Sequence, residues 1–175
     1  MAGQSVFGYG SLAGGAGGRP ARLRGYRRVW GVAMDNRVDI PGYRSYRRPD
    51  DGSRPAVHVA FLDIVEDPGG AVDGVLIAVD DGRLAELDER ERNYDRIDVS
   101  AAVAGAPGRV WTYRGSDDGR ARLRAALAQR DAVVDADYAQ AVRATFAVLG
   151  IDDDVAPGDD LPLMWLRRVE VPPAP

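Results

Sequence analysis

"SVFGYGSLAGGAGG", residues 5–18, holds the turn on which the fold depends. Val6 and Phe7 are an apolar pair suited to a buried strand. The chain then passes through Gly8 and Gly10, with Tyr9 and Ser11 beside them, into a glycine run ending at Gly18. Glycine loses more backbone freedom on folding than any other residue, so clustering it is costly unless positive φ or close backbone approach is required. Two readings compete: a mobile N-terminal tail, or a loop whose bare N–H groups cradle a negative charge. The stretch predicts a first strand over about Gln4–Tyr9 and a turn directly after it.

Working outward, "ARLRGYRRVWGVAMD" (21–35) is rich in β-branched and aromatic residues and reads as a long strand bulged at Gly25 or Gly31. Residues 36–55 are rich in Pro, Gly, Asp and Arg and read as a long loop, with Arg37, Tyr43, Arg44 and Tyr46 suited to a lid over an anionic ligand. Residues 56–66 and 71–80 read as strands joined by an Asp67-Pro68-Gly69-Gly70 turn. A helix over 81–93 capped by Asp80 or Asp81, strands over 94–103 and 109–115, and helices over about 117–130 and 135–149 complete the pattern. The proline-bearing tail reads as irregular. Five or six strands with helices inserted and appended predict one α+β domain over 1–175, a small mixed β-barrel or curved sheet flanked by helices, most strand pairs antiparallel.

Composition narrows the chemistry. There is no cysteine, which excludes disulfides and thiolate nucleophiles, and a single histidine, His58, which argues against a multi-histidine metal centre or a Ser-His-Asp triad. His58 lies in an alternating strand run and reads as a packed or edge residue. No apolar run approaches the roughly 20 residues of a membrane span. Met1-Ala2-Gly3-Gln4 has no basic start or apolar continuation, so the expectation is a cytoplasmic protein. All 23 basic residues are arginine. Ten of them fall in 19–54 against four acids, a surplus of six positive charges, which leaves −10 on the rest of a chain whose net charge is −4. A basic stretch of this kind is a nucleic-acid footprint, a small-anion site or an ordinary solvated face.

The informative helix is "GRLAELDERERNY" (82–94). Leu84 and Leu87 define its apolar stripe, and Glu91, seven residues beyond the first and four beyond the second, continues it. An acid at the edge of the interior is either paired, with Arg90, Arg96 or an arginine from another strand, or desolvated into a base that works near neutral pH.

Together "FGYGSL" (7–12), "RGYRR" (24–28) and "LDERERNYDRIDV" (87–99) resemble, in order, the motifs of the gamma-glutamyl cyclotransferase superfamily. The similarity extends over about 6–113. It implies a small mixed barrel with flanking helices, no metal and no cofactor. It also implies a substrate loop at Gly8, Tyr9, Gly10, Ser11 and Leu12, a general acid/base at Glu91, and a pocket-lining tyrosine at Tyr94. "RGSDDGRARLR" (114–124) departs from the Pro-Ser-x-x-Tyr segment of some relatives.

The reaction implied is attack of the α-amine of a γ-glutamyl amide on its own γ-carbonyl, releasing 5-oxoproline and an amine, as in glutathione metabolism. The partner is then a small γ-glutamyl molecule, with no nucleic acid and no membrane. A non-catalytic small-anion or nucleic-acid binding protein on the same fold is the rival. The leaving group and the oligomeric state are open at this point.

Overall fold

The computed structural model describes residues 3–15, 17–106, 108–152 and 154–173. Its organising element is β4 (His58–Val79), which pairs antiparallel with β2 (Arg19–Asp35) over His58–Glu66 and Ala71–Leu76. On the other side of β4, the second half takes β1 (Gln4–Gly8) antiparallel and the first half takes β7 (Ala132–Asp135) parallel. Beyond β1 lie β6 (Arg109–Gly115), parallel, and β5 (Tyr94–Asp98), antiparallel. Beyond β7 lies the two-residue β8 (Leu163–Met164). A separate ribbon joins β3 (Arg44–Arg47) to β9 (Arg167–Glu170).

Among the described residues three pairings of the sheet are antiparallel and three parallel, and the β3–β9 ribbon adds a fourth antiparallel one, so the sheet is mixed, as expected. It curls without closing. Among the described residues β2 meets the segment after β5 at one bridge, Leu23–Val103, with no ladder continuing it, so the structure is a curved sheet and not a complete barrel.

A bulge was expected at Gly25 or Gly31, and there is one at each: the register shifts between Arg24 and Tyr26 and again between Trp30 and Val32. Gly25 takes the first with φ 81°, a conformation costly for a side chain. At Gly31 the demand is steric, because an added Cβ would lie 2.4 Å from Asp63 Cβ. The Asp67-Pro68-Gly69-Gly70 turn is corrected. Those four residues bulge out opposite Gly25 and the chain continues in the same direction, so two expected strands are one. Pro68 has no N–H to donate and is tolerated where the ladder is interrupted.

The long loop is also corrected, since it contains β3, and the irregular tail supplies β8 and β9. Residues 131–134 were expected to connect two helices and instead form most of β7.

Alternation along β1 sends Val6 and Phe7 to opposite faces. Val6 packs with Leu84 and Leu87 of α1 (Asp81–Arg90), and Phe7 joins Leu23, Leu62, Val110 and Phe146 in the main core. α1 starts where Asp80 accepts a hydrogen bond from Arg83 N and is held by its two leucines, each worth roughly 1.5–3 kcal/mol of burial. α2 (Asp117–Gln129) packs on β2, and α3 (Ala136–Leu149) covers the turn after β1. Among the described residues no helix is long and apolar enough to cross a membrane.

Candidate active site

The chain leaves β1 at Gly8 and folds at once into a 3-10 turn, Ser11–Gly14, with Ala13 N donating to Gly10 O at 2.9 Å. Such a turn leaves the N–H groups at its start without an internal acceptor. The turn returns over the strand it came from. A Cβ at Gly8 would meet Leu12 Cβ and Ala13 N at 3.0 Å. Gly8 is therefore the seat of the turn, paired with Val75, and does not line the cavity beside it. Tyr9, Gly10, Ser11 and Leu12 do line it.

Tyr9 is fixed at both ends. Its hydroxyl donates to Tyr113 O at 2.6 Å, and its carbonyl accepts from Arg28 Nε at 2.8 Å. Arg28 is itself buried, stacked 4.5 Å over the Phe146 ring and donating to Asp73 O.

The opposite wall comes from the end of α1 and the start of β5. Helix geometry ends at Arg90, and Glu91 is the C-cap, its N–H donating to Leu87 O. The cap holds the Glu91 side chain against the same cavity, 8% exposed. Tyr94 N returns to Glu91 O at 2.9 Å, and the Tyr94 hydroxyl donates to Leu62 O at 2.6 Å. Leu62, Tyr113 and Tyr138 complete the lining. These three were missing from the sequence reading. Tyr113 lay in a strand it recognised, but Tyr138 on α3 offered no local signal, because only the tertiary fold brings its hydroxyl to Gly10.

The electrostatics separate Glu91 from its neighbours. Burial pushes its carboxyl above the ordinary glutamate range, while Arg90, Arg44 and Arg168 pull the other way. Arg90 Nε lies 3.2 Å from Oε1, near enough for attraction but not aligned as a hydrogen bond, and Oε1 has no other partner. Burial drives all four lining tyrosines, Tyr9, Tyr94, Tyr113 and Tyr138, upward, so they remain neutral hydroxyls near pH 7. Among the described residues that line the cavity, this leaves Glu91 as the one carboxylate able to take a proton.

The cavity is narrow, about 30 Å³. That is water-sized. Other clefts are roomier, about 240 to 460 Å³, and two of them border this cavity, but none has Glu91 in its lining.

About half of the ten arginines in 19–54 are committed to contacts within the protein, while Arg19, Arg24, Arg27, Arg47 and Arg48 are exposed. Arg28 and Arg44 are buried, and Arg22, Arg37 and Arg54 are ion-paired with Asp73, with Asp35 and Asp131, and with Asp39. Arg37 thus joins the cluster around His58, which is packed against Asp131 at 3.0 Å as the sequence led us to expect, and takes no part in a lid. Arg44 instead stacks between Tyr43 and Phe61 behind Glu91, close enough for its charge to act on that carboxyl. Among the described residues no cluster of three or more His, Asp or Glu is placed to hold a metal ion.

The family model described as "Gamma-glutamyl cyclotransferase, AIG2-like" matches residues 6–138. No curated protein sequence matches. Among solved structures, one titled gamma-glutamyl cyclotransferase aligns at 16% identity and TM-score 0.53 over 90% of each chain. A yeast gamma-glutamyl cyclotransferase specific to glutathione aligns at 15% identity and TM-score 0.56, over 88% of this chain and 91% of that one. An uncharacterized protein from Homo sapiens aligns at 17% and 0.54 over 91% of each. At such identities these likenesses speak for the fold. The family match covers most of the chain, and with it the turn after β1 and the Glu91 cap: the chain belongs to the gamma-glutamyl cyclotransferase, AIG2-like family.

Proposed function

We propose that this chain is a cyclotransferase that cleaves a γ-glutamyl amide to 5-oxoproline and a free amine, with Glu91 as the acid/base group. The observation that carries the reading is the Glu91 carboxylate. It is buried, raised in pKa by that burial, and lacks an aligned hydrogen bond, in a cavity otherwise lined by neutral polar and apolar groups.

The nucleophile of this reaction is already tethered to its target, so the protein must fold the glutamyl chain, remove a proton and stabilise the oxyanion. Glu91 takes a proton from the α-ammonium. The freed amine adds to the γ-carbonyl carbon, the amide C–N bond breaks, and the protons lost by the ring nitrogen end on the departing amine with Glu91 as carrier. No water is consumed. Open N–H groups at the start of the Ser11–Gly14 turn suit the glutamyl carboxylate or the developing oxyanion. Tyr94, anchored to Leu62 O, sets the far wall. The narrow cavity must widen to admit the glutamyl chain, and the turn and the Glu91 cap are the walls between which it enters.

Glu91→Gln tests the assignment. It keeps size and most hydrogen bonding but cannot accept the proton, so 5-oxoproline release falls by on the order of 10²–10⁴. Melting temperature holds or rises, because a buried acid without an aligned partner is removed. A variant that is unstable yet active per folded molecule would show instead that Glu91 serves only to hold an arginine.

A further inference from the structure

We propose that the departing amine lies in the cleft between α1 and the Ser11–Gly14 turn, where Arg83 and Arg90 select a leaving group bearing a carboxylate on an aliphatic body. The proposal rests on the cyclotransferase reading, and the tests below separate the two.

The cleft holds about 240 Å³, against about 30 Å³ at Glu91. Ser11 and Leu12 line both spaces, and Ser11 is exposed, so the two share a rim at the surface. An acyl group held at Glu91 can therefore extend its amide substituent over Ser11 into the larger space.

The chemistry of the cleft is of two kinds. Leu12, Ile77, Val79 and Leu87 form an aliphatic wall, and the charged side chains in it are Arg83 and Arg90, with no acid among the lining residues. Seven residues apart on α1, the two arginines stand two turns from each other on one face. Arg90 also reaches Glu91 Oε1 at 3.2 Å, which ties the cleft to the reacting carbonyl. Arg83 pairs with Glu86 at 2.7 Å, but both side chains are more than half exposed, and a pair of that kind gives way to a better anion at little cost.

A second cleft, about 360 Å³, meets the Glu91 cavity at Tyr94 and Tyr113. Its character is different. Asp88 and Asp95 line it without an aliphatic wall, and Asp88 is engaged by Arg96 at 2.9 Å and by the Tyr113 hydroxyl at 2.8 Å. Arg96 lines it as well, so Asp95 is the acid there left to draw a cation, and the two clefts differ in the charge they favour on a leaving group.

Three substrates with bodies of similar size separate these outcomes: γ-glutamyl-leucine, γ-glutamyl-isoamylamide, which lacks only the carboxylate, and γ-glutamyl-cadaverine, which ends in an ammonium. The expected order of kcat/KM is leucine, isoamylamide, cadaverine, with about 10- to 100-fold between the first two, the worth of a hydrogen-bonded charge. In Arg83→Gln that ratio falls toward one. Equal rates on leucine and isoamylamide, or a ratio unchanged in Arg83→Gln, overturns the proposal, as does preference for cadaverine, which would assign the leaving group to the cleft of Asp95. Where none of the three releases 5-oxoproline, the reaction reading has failed and binding decides the cleft. Tighter binding of N-acetyl-leucine than of N-acetyl-isoamylamine, lost in Arg83→Gln, sustains it. Equal binding overturns it.

Discussion

Asp63 in the sheet and Glu91 at the end of α1 are both buried acids, and their surroundings are opposite. Asp63, fully buried on β4, has every approach filled: Ile64 N and Gly115 N donate to one oxygen at 2.7 and 2.6 Å, and Arg120 Nε to the other at 2.8 Å. The chain leaves out side chains to admit it, since a Cβ on Gly31 or on Gly115 would lie 2.4 Å from its atoms. Glu91 has a loosely placed arginine and an oxygen with no aligned donor. An acid whose hydrogen bonds are all made by its own protein has nothing left to give a substrate. One left incomplete is dear to bury and free to act.

The difference predicts a division of effects. Asp63→Ala removes three hydrogen bonds, leaving the Gly115 N–H without an acceptor and Arg120 with Ile64 O alone, so urea unfolding should report a loss of about 3–5 kcal/mol, the usual cost of breaking a buried pair. Turnover per folded molecule should change little beside it. A stable Asp63→Ala protein that had lost only activity would reverse the two roles.

Asp135 sharpens the comparison from between the extremes. It caps α3 by accepting from Asp137 N at 3.2 Å, and burial pushes its carboxyl up to about 6. A folded-state value above the unfolded one means that the protonated form is favoured by folding. Its contribution is complete below the unfolded pKa near 3.9 and is lost as pH rises through about 6. Asn also caps helices and carries no charge. Asp135→Asn should therefore raise the melting temperature at pH 7 by roughly 2–12 °C, the size of an effect of about 1–3 kcal/mol, and change it far less at pH 4. An equal shift at both pH values would mean that packing, and not ionisation, sets the cost.

Much of this contrast is legible in the sequence, and the reason is locality. The position of Glu91 follows from helix periodicity with Leu84 and Leu87, and the bulges of β2 follow from Gly25 and Gly31 within one strand. What was missed depends on partners far along the chain. Asp67-Pro68-Gly69-Gly70 carries the composition of a reversal, yet β2 runs beside it on both flanks and holds the chain straight. β3 has little strand character of its own and exists because β9, more than a hundred residues later, pairs with it. Arg37 and Arg44 look alike in an arginine-rich segment. One meets Asp35 and the other meets Tyr43 and Phe61, and only tertiary contacts distinguish them. Tyr138 enters the site for the same reason, as the part of α3 that lies over Gly10.

The pH dependence of kcat/KM for 5-oxoproline release, in the wild type and in Glu91→Gln, puts the central assignment to its most direct test. Burial raises the Glu91 carboxyl above its usual value of 4.5, and a base must be ionised to act, so activity should fall toward acid with an apparent pKa above 4.5. The residual activity of Glu91→Gln should lack that acid limb. A wild-type profile flat down to pH 4.5, or the same limb persisting in Glu91→Gln, would contradict the account by placing the proton-accepting group elsewhere.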